Sequence, residues 1–216
     1  RVILKLKLTQ NEVDALKTVE RISVPPTNQG VGRVDVPFQI RIKGKLLWQY
    51  EIWSDMLKRS YSVVTKNKQP TYKQVDCCQE WLSFACFLEW VNAQVAYQGK
   101  PEGKHLDKDI LAKGNKLYSP DFCRFVPQQI NKLLNDYAKR RGQWPRGVTF
   151  VKKQGKFRAR VNSFGEAVQL GSFDCPEKAY QAYVIAKEAQ VKLAALHYQA
   201  ELKPEVFQAL MSWRVS

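Results

Sequence analysis

"RGVTFVKKQGKFRARVNSFGEAVQLGSFD", residues 146–174, decides how the C-terminal part of the chain is built. Apolar and polar residues alternate in short runs, and glycines fall between the runs, in "KQGK" at 153–156 and "SFGE" at 163–166. Alternation at a period of two, punctuated by glycine turns, predicts three short antiparallel strands. On the middle strand Lys156, Arg158 and Arg160 then share one face, while Phe157, Ala159 and Val161 share the other. The next stretch, "CPEKAYQAYVIAKEAQVKLAALH" at 175–197, reads as a helix. Pro176 and Glu177 suit its first turn. Ala179, Tyr183, Ala186 and Ala189 or Gln190 form a small-residue stripe that can lie close on the apolar face of the sheet. The tail restarts as a short helix after Pro204.

The charge of this region has one sign. From Tyr137 to Gly165 the cations are Lys139, Arg140, Arg141, Arg146, Lys152, Lys153, Lys156, Arg158 and Arg160, and no Asp or Glu intervenes. An ordinary solvated face interleaves both signs. The whole chain carries a formal charge of +15, and polyanionic phosphate backbones reward such an excess by counterion release. A three-stranded ribbon with outward cations has the width of an element that enters a major groove. On it, an arginine suits a guanine edge and a lysine a phosphate.

Composition narrows the alternatives. An apolar fraction of 44% with 12% aromatics supports a real core and argues against wholesale disorder. No apolar run is long enough to span a membrane, and the N-terminal "RVILKLKLTQNE" lacks the pattern of a signal peptide. Cys77, Cys78, Cys86, Cys123 and Cys175 form no CxxC pair, so neither a disulfide framework nor a structural zinc site is expected. Reduced thiols fit a cytoplasmic protein.

Ahead of the basic region the chain divides into two further parts. Residues 1–46 combine an alternating strand ("RVILKLKL"), a helix capped at Thr9 or Asn11, a "SVPPTNQGVG" turn and a second alternating run ending in a glycine turn. Residues 47–141 are helical and aromatic at first. Trp53, Met56, Leu57 and Tyr61 make a core-facing stripe. The "TKNKQPTYK" stretch breaks it, and "VDCCQEWLSFACFLEWVNAQV" resumes helical spacing at Trp81, Phe84, Ala85, Leu88 and Val95. Such aromatics are read as core. "QINKLLNDYAKRRG" closes the part as a helix with Ile130, Leu133, Leu134 and Tyr137 on one side.

Between these helices lies "KHLDKDILAKGNKLYSPDFCRFVPQQIN", residues 104–131. As a strand, "HLDKDIL" places His105, Asp107 and Asp109 on one face, with Leu106 and Ile110 on the other. "AKGNK" turns the chain, "YSPDFCRFVP" returns antiparallel, and the following helix carries Asn131. Histidine, carboxylates and an amide suit metal-assisted phosphodiester cleavage. His105 would deprotonate water, while Asp107 and Asn131 would hold one Mg²⁺ against the leaving oxygen. Asp and Asn also favour turns, and a lone histidine in a polar strand is commonly just solvated.

Two resemblances sharpen these expectations. Gly147, Val148, Lys156, Phe157, Leu170, Gly171, Phe173, Glu177, Ala179, Ala182 and Tyr183 fall in the order seen in the AP2/ERF DNA-binding domain, which about 45 residues here resemble. That resemblance implies a three-stranded sheet in a major groove with a helix behind it; Phe157 stands where a strand tryptophan is common. Upstream, the spacings W-x-x-M-L-x-R-x-Y at Trp53–Tyr61, P-T-Y…W-L-x-F…F-L-x-W at Pro70–Trp90 and LDKDIL-x-x-GN-x-x-YSP-x-x-C-x-FVP-x-x-IN at Leu106–Asn131 resemble phage homing-endonuclease-like proteins with an HNH segment. Lys108 stands where the motif's histidine is usual and Phe122 where its middle Asn is usual; Asn131 fits the third position.

Together these imply an α+β chain. An HNH-like module (ββα, His-Me finger type) with helices occupies 47–141, and an AP2-like sheet plus helix with a C-terminal helix occupies 142–216. The expected function is sequence-specific binding of double-stranded DNA, with Mg²⁺-dependent nicking or cutting through His105, Asp107, Asp109 and Asn131. The alternative is a catalytically inactive, nuclease-derived binding protein acting as a transcriptional repressor; either protein would work in the cytoplasm of a phage-infected or element-carrying bacterial cell. Residues 1–46 are then a candidate homodimer surface. A general basic binder of nucleic acid or anionic lipid is the third reading.

Overall fold

Buried aromatics organise the first of two units into which the chain packs. The computed structural model describes residues 28–98, 103–134, 143–163 and 166–215. Unit 1 takes in 28–98 and 106–125, and unit 2 takes in 103–105 and the described residues from 126 onward. The division falls within residues 103–126, upstream of the 141/142 boundary that composition suggests. The strand and helix expected within residues 1–27, and the cations Lys139, Arg140 and Arg141, lie outside the described residues. Helices and small sheets make the molecule α+β.

In unit 1, helix α1 (Trp48–Tyr61) buries Trp53, Met56 and Leu57 as the spacing predicts. Lys58 and Arg59 in its last turn complement the helix dipole. The chain breaks at Ser62, whose hydroxyl accepts the Thr65 N–H and so starts helix α2 (Val63–Lys68). Helix α3 (Phe84–Gln98) begins later than the run from Val75 suggests. The Asp76–Cys77 pair is a strand, β3, and Trp81 sits in a 3-10 turn. The physical reason is capping. The Ser83 hydroxyl accepts the Cys86 N–H at 3.1 Å, and Asp35, from a distant segment, accepts the Ala85 N–H at 2.9 Å. Burial on α3 therefore centres on Phe84, Phe87, Leu88 and Val91, while Ala85 is only half-buried.

Trp53 donates its indole N–H to the Trp81 carbonyl at 2.7 Å, so its burial leaves no orphan polar group. Trp53 meets Phe84 at 5.2 Å between ring centroids, and Trp81 meets Phe87 at 5.1 Å. Each such side chain contributes about 1.5–3 kcal/mol through burial. The five cysteines are free thiols. Burial pushes the Cys77 thiol up and takes Cys123 to about 12, so both behave as inert core groups.

At the front of unit 1, β1 (Arg41–Ile42) and β2 (Lys45–Leu46) form an antiparallel ribbon. Its two-residue turn has positive φ at Lys43 (47°) and Gly44 (79°), the type I′ geometry of tight hairpins. Lysine at that first position costs about 1 kcal/mol more than glycine would.

Strand β4 (Lys104–Asp107) pairs with β6 (Arg124–Pro127). The Gln128 N–H reaches the Gly103 carbonyl at 2.9 Å, so the two run antiparallel. The return strand is shorter than expected, because β5 (Leu117–Tyr118) leaves to pair in parallel with β3.

Unit 2 is built on a meander of β7 (Val148–Val151), β8 (Lys156–Ser163) and β9 (Glu166–Phe173). Val148, Ala159 and Val161 are buried on one face; Val148 and Ala159 pack with Ala179 of helix α5 (Pro176–His197), which also buries Tyr183. Helix α4 (Gln128–Leu134) precedes the meander and α6 (Pro204–Met211) follows α5. The buried stripe of α5 is Ala179, Tyr183, Lys187, Val191, Ala194 and Ala195, so Ala186 and Gln190 are only half-covered and Ala189 is exposed. A helix of 22 residues outlasts the sheet, and its later turns pack on other helices. Lys187 is tolerated in the stripe because its ammonium donates to the Leu133 carbonyl at 2.6 Å, at the negative end of α4.

Candidate nucleic-acid interface

The register of the meander fixes which side chains share its outer face. Thr149 pairs with Arg158 and Val151 with Lys156. Across the sheet Arg158 lies opposite Ser172 and Arg160 opposite Gln169. Directly opposed residues point the same way. Lys156, Arg158, Arg160, Thr149, Ser172 and Gln169 therefore share the surface away from α5. Polar Thr149, Ser172 and Gln169 were not singled out from sequence; alternation places Thr149, but Gln169 and Ser172, three residues apart, share this face only through an irregularity in the register that alternation does not reveal.

A bulge between Ala159 and Arg160 skips Leu170 and brings Gly171 to φ 142°. Bulges increase local twist and re-aim side chains, so the two arginines diverge from a flat ladder. Arg158 lies half-buried along the sheet with its Nε shielded and unpartnered, whereas Arg160 is exposed. Lys156 faces Asp174 at 3.5 Å, a solvent-exposed pair worth little. Lys152 and Lys153 are exposed in the 3-10 turn Lys152–Gln154, which Gly155 closes in the left-handed conformation. Arg146 is placed differently. Its guanidinium lies 5.9 Å from the ring of Tyr183, the tyrosine that α5 buries, so it flanks the sheet on the helix side.

The residues expected to cleave DNA are distributed over both units. His105 is exposed on β4 and Asn131 is half-buried on α4, both in unit 2; Asp107 and Asp109 belong to unit 1. Asp109 is not on the strand with His105 and Asp107, because β4 ends at Asp107 and the chain turns. The turn is built by the very side chains that read as catalytic. One oxygen of Asp107 accepts the N–H groups of Asp109 and Ile110 at 2.8 and 2.7 Å. Burial raises the Asp107 carboxyl above its usual range, although those two N–H bonds pull the other way. Asp109 takes the ammonium of Lys108 at 2.6 Å.

Lys108, only 6% exposed, also donates to the Asn115 carbonyl at 2.8 Å. Asn115 closes the unit by donating to the Lys108 and Leu117 carbonyls and accepting the Leu117 N–H. Gly114 at φ 81° permits the reversal. Among the described residues, no three His, Cys, Asp or Glu side chains converge as a metal cage.

Comparison with protein-family models, with curated proteins and with solved structures gives no match for this chain.

Proposed function

We propose that the chain binds double-stranded DNA through the outer face of β7–β9 and occupies its site without cutting it, as a nuclease-derived repressor would. The observation that carries the reading is the one-signed surface of Lys156, Arg158 and Arg160, continued by Lys152 and Lys153 at the hairpin turn, with Asp174 the only acid paired to it among the described residues. A sheet braced by a helix can lie in a major groove. Arg160, exposed and re-aimed by the bulge, suits a base edge; the lysines suit phosphates. The order and spacing that resemble an HNH segment followed by an AP2-like sheet support the same reading.

Occupancy is favoured over cleavage by the use made of the carboxylates. Asp107 holds a turn with one oxygen, and Asp109 is neutralised by a buried lysine where a nuclease of this type would carry a histidine. Selection of bound sequences from random duplex DNA, followed by a search for strand breaks in the same pool with Mg²⁺ or Mn²⁺, tests both halves. Recovery of a preferred sequence with intact strands is expected. Metal-dependent nicking of a supercoiled plasmid that disappears in His105→Ala and Asp107→Ala would replace occupancy by catalysis. Failure to retain any duplex would end the DNA reading.

A further inference from the structure

Unit 1 carries a cationic feature of its own. The β1–β2 ribbon exposes Arg41, Lys43 and Lys45 around a two-residue tip. Arg41 pairs with Leu46 and Ile42 with Lys45, so Arg41 and Lys45 emerge on opposite faces with Lys43 at the apex. The Arg41 guanidinium is held over the turn by a bond to the Gly44 carbonyl at 2.6 Å. Among the described residues no acid pairs with these three cations, and Asp35, the acid preceding them, is engaged with the Ala85 N–H. The ribbon is also rigidly mounted. Ile40 is buried, Leu46 packs on the core, and the Leu47 N–H reaches the Ile40 carbonyl at 2.8 Å. A type I′ tip favours Asn, Asp or Gly, yet here a lysine occupies the left-handed position.

We infer that this ribbon is a second DNA contact, its tip set between the phosphate strands that border a groove. The inference rests on the reading of the chain as a DNA-binding protein. The major groove, about 12 Å wide, admits a two-stranded ribbon. Arg41 shares its face with Leu46, which packs on the core, so Lys43 at the apex and Lys45 on the opposite face are the cations placed to meet the phosphates bordering a groove. Arg41 is tied to its own turn, so the contact supplies affinity and register, not sequence preference.

The test compares the wild-type chain with Lys43→Asn/Lys45→Gln on random-sequence duplexes over a range of salt. Asparagine suits the tip better than lysine, so the variant should melt at or above the wild-type temperature, which separates lost charge from lost fold. The slope of log K against log [salt] should become shallower by about 1.8, at about 0.9 per phosphate, and equally on every sequence. An unchanged slope in a wild type that binds steeply overturns the ribbon contact and leaves the sheet reading standing. No duplex binding by the wild type overturns both. Unchanged duplex binding with weakened attachment to phosphatidylserine vesicles assigns the ribbon to a membrane surface and overturns the proposal.

Discussion

Asp107 accepts two backbone N–H groups through one oxygen, while burial raises its carboxyl above the ordinary range. A raised folded-state pKa means that the native structure favours the protonated form. Stability from this group is then full below the unfolded value, about 4, and declines as pH rises through the folded value. Asn at this position keeps the acceptor oxygen and removes the charge. Asp107→Asn should therefore melt no lower than wild type at pH 7, with any advantage closing as pH falls below 4. Thermal melts across that range check the sign; a deficit at neutral pH would show that the ionised carboxylate is stabilising. Sequence reading placed Asp107 inside a strand that continues through Asp109, whereas the strand ends at Asp107, and spacing could not show what its oxygens hold. Turn-forming and catalytic carboxylates carry the same letters, and only the Lys108 and Asn115 contacts separate them.

The sheet and helix of unit 2 were legible because two independent periodicities agree. Strand alternation put Ala159 and Val161 inside and Arg160 outside, and the structure has them so. The stripe of α5 was legible only where it lies on the sheet, at Ala179 and Tyr183. Farther on the partner changes to other helices, and spacing alone does not reveal a change of partner. The long helix expected from Val75 failed for a similar reason: Asp35 caps its true start from 50 residues away in sequence. Close packing of the sheet against α5 depends on Gly147, at φ 75°, where an added Cβ would come within 2.1 Å of the Tyr183 ring. Gly147→Ala combines left-handed strain with overpacking and should cost about 2–4 kcal/mol. Denaturant melts that show a loss below about 0.5 kcal/mol, the range of an indifferent surface change, would contradict this close approach.

Across the molecule, the excess of 35 Lys and Arg over 20 Asp and Glu is the property that most narrows function. Charge says only that polyanions are welcome; the meander says that part of it is presented on a rigid, helix-braced face. No helix among the described residues is long and apolar enough to cross a membrane. Affinity should therefore have a steep, sequence-independent electrostatic component, with preference added by the arginines of β8. The most direct measurement is a fluorescence-anisotropy titration of the selected duplex with wild type and with Arg158→Ala and Arg160→Ala, repeated across salt concentrations. Tight binding is expected that weakens steeply with salt, with each arginine change costing about 1–3 kcal/mol and narrowing the gap between selected and random duplexes. Duplex affinity absent even in dilute salt, or left untouched by both changes, would contradict DNA recognition by this face.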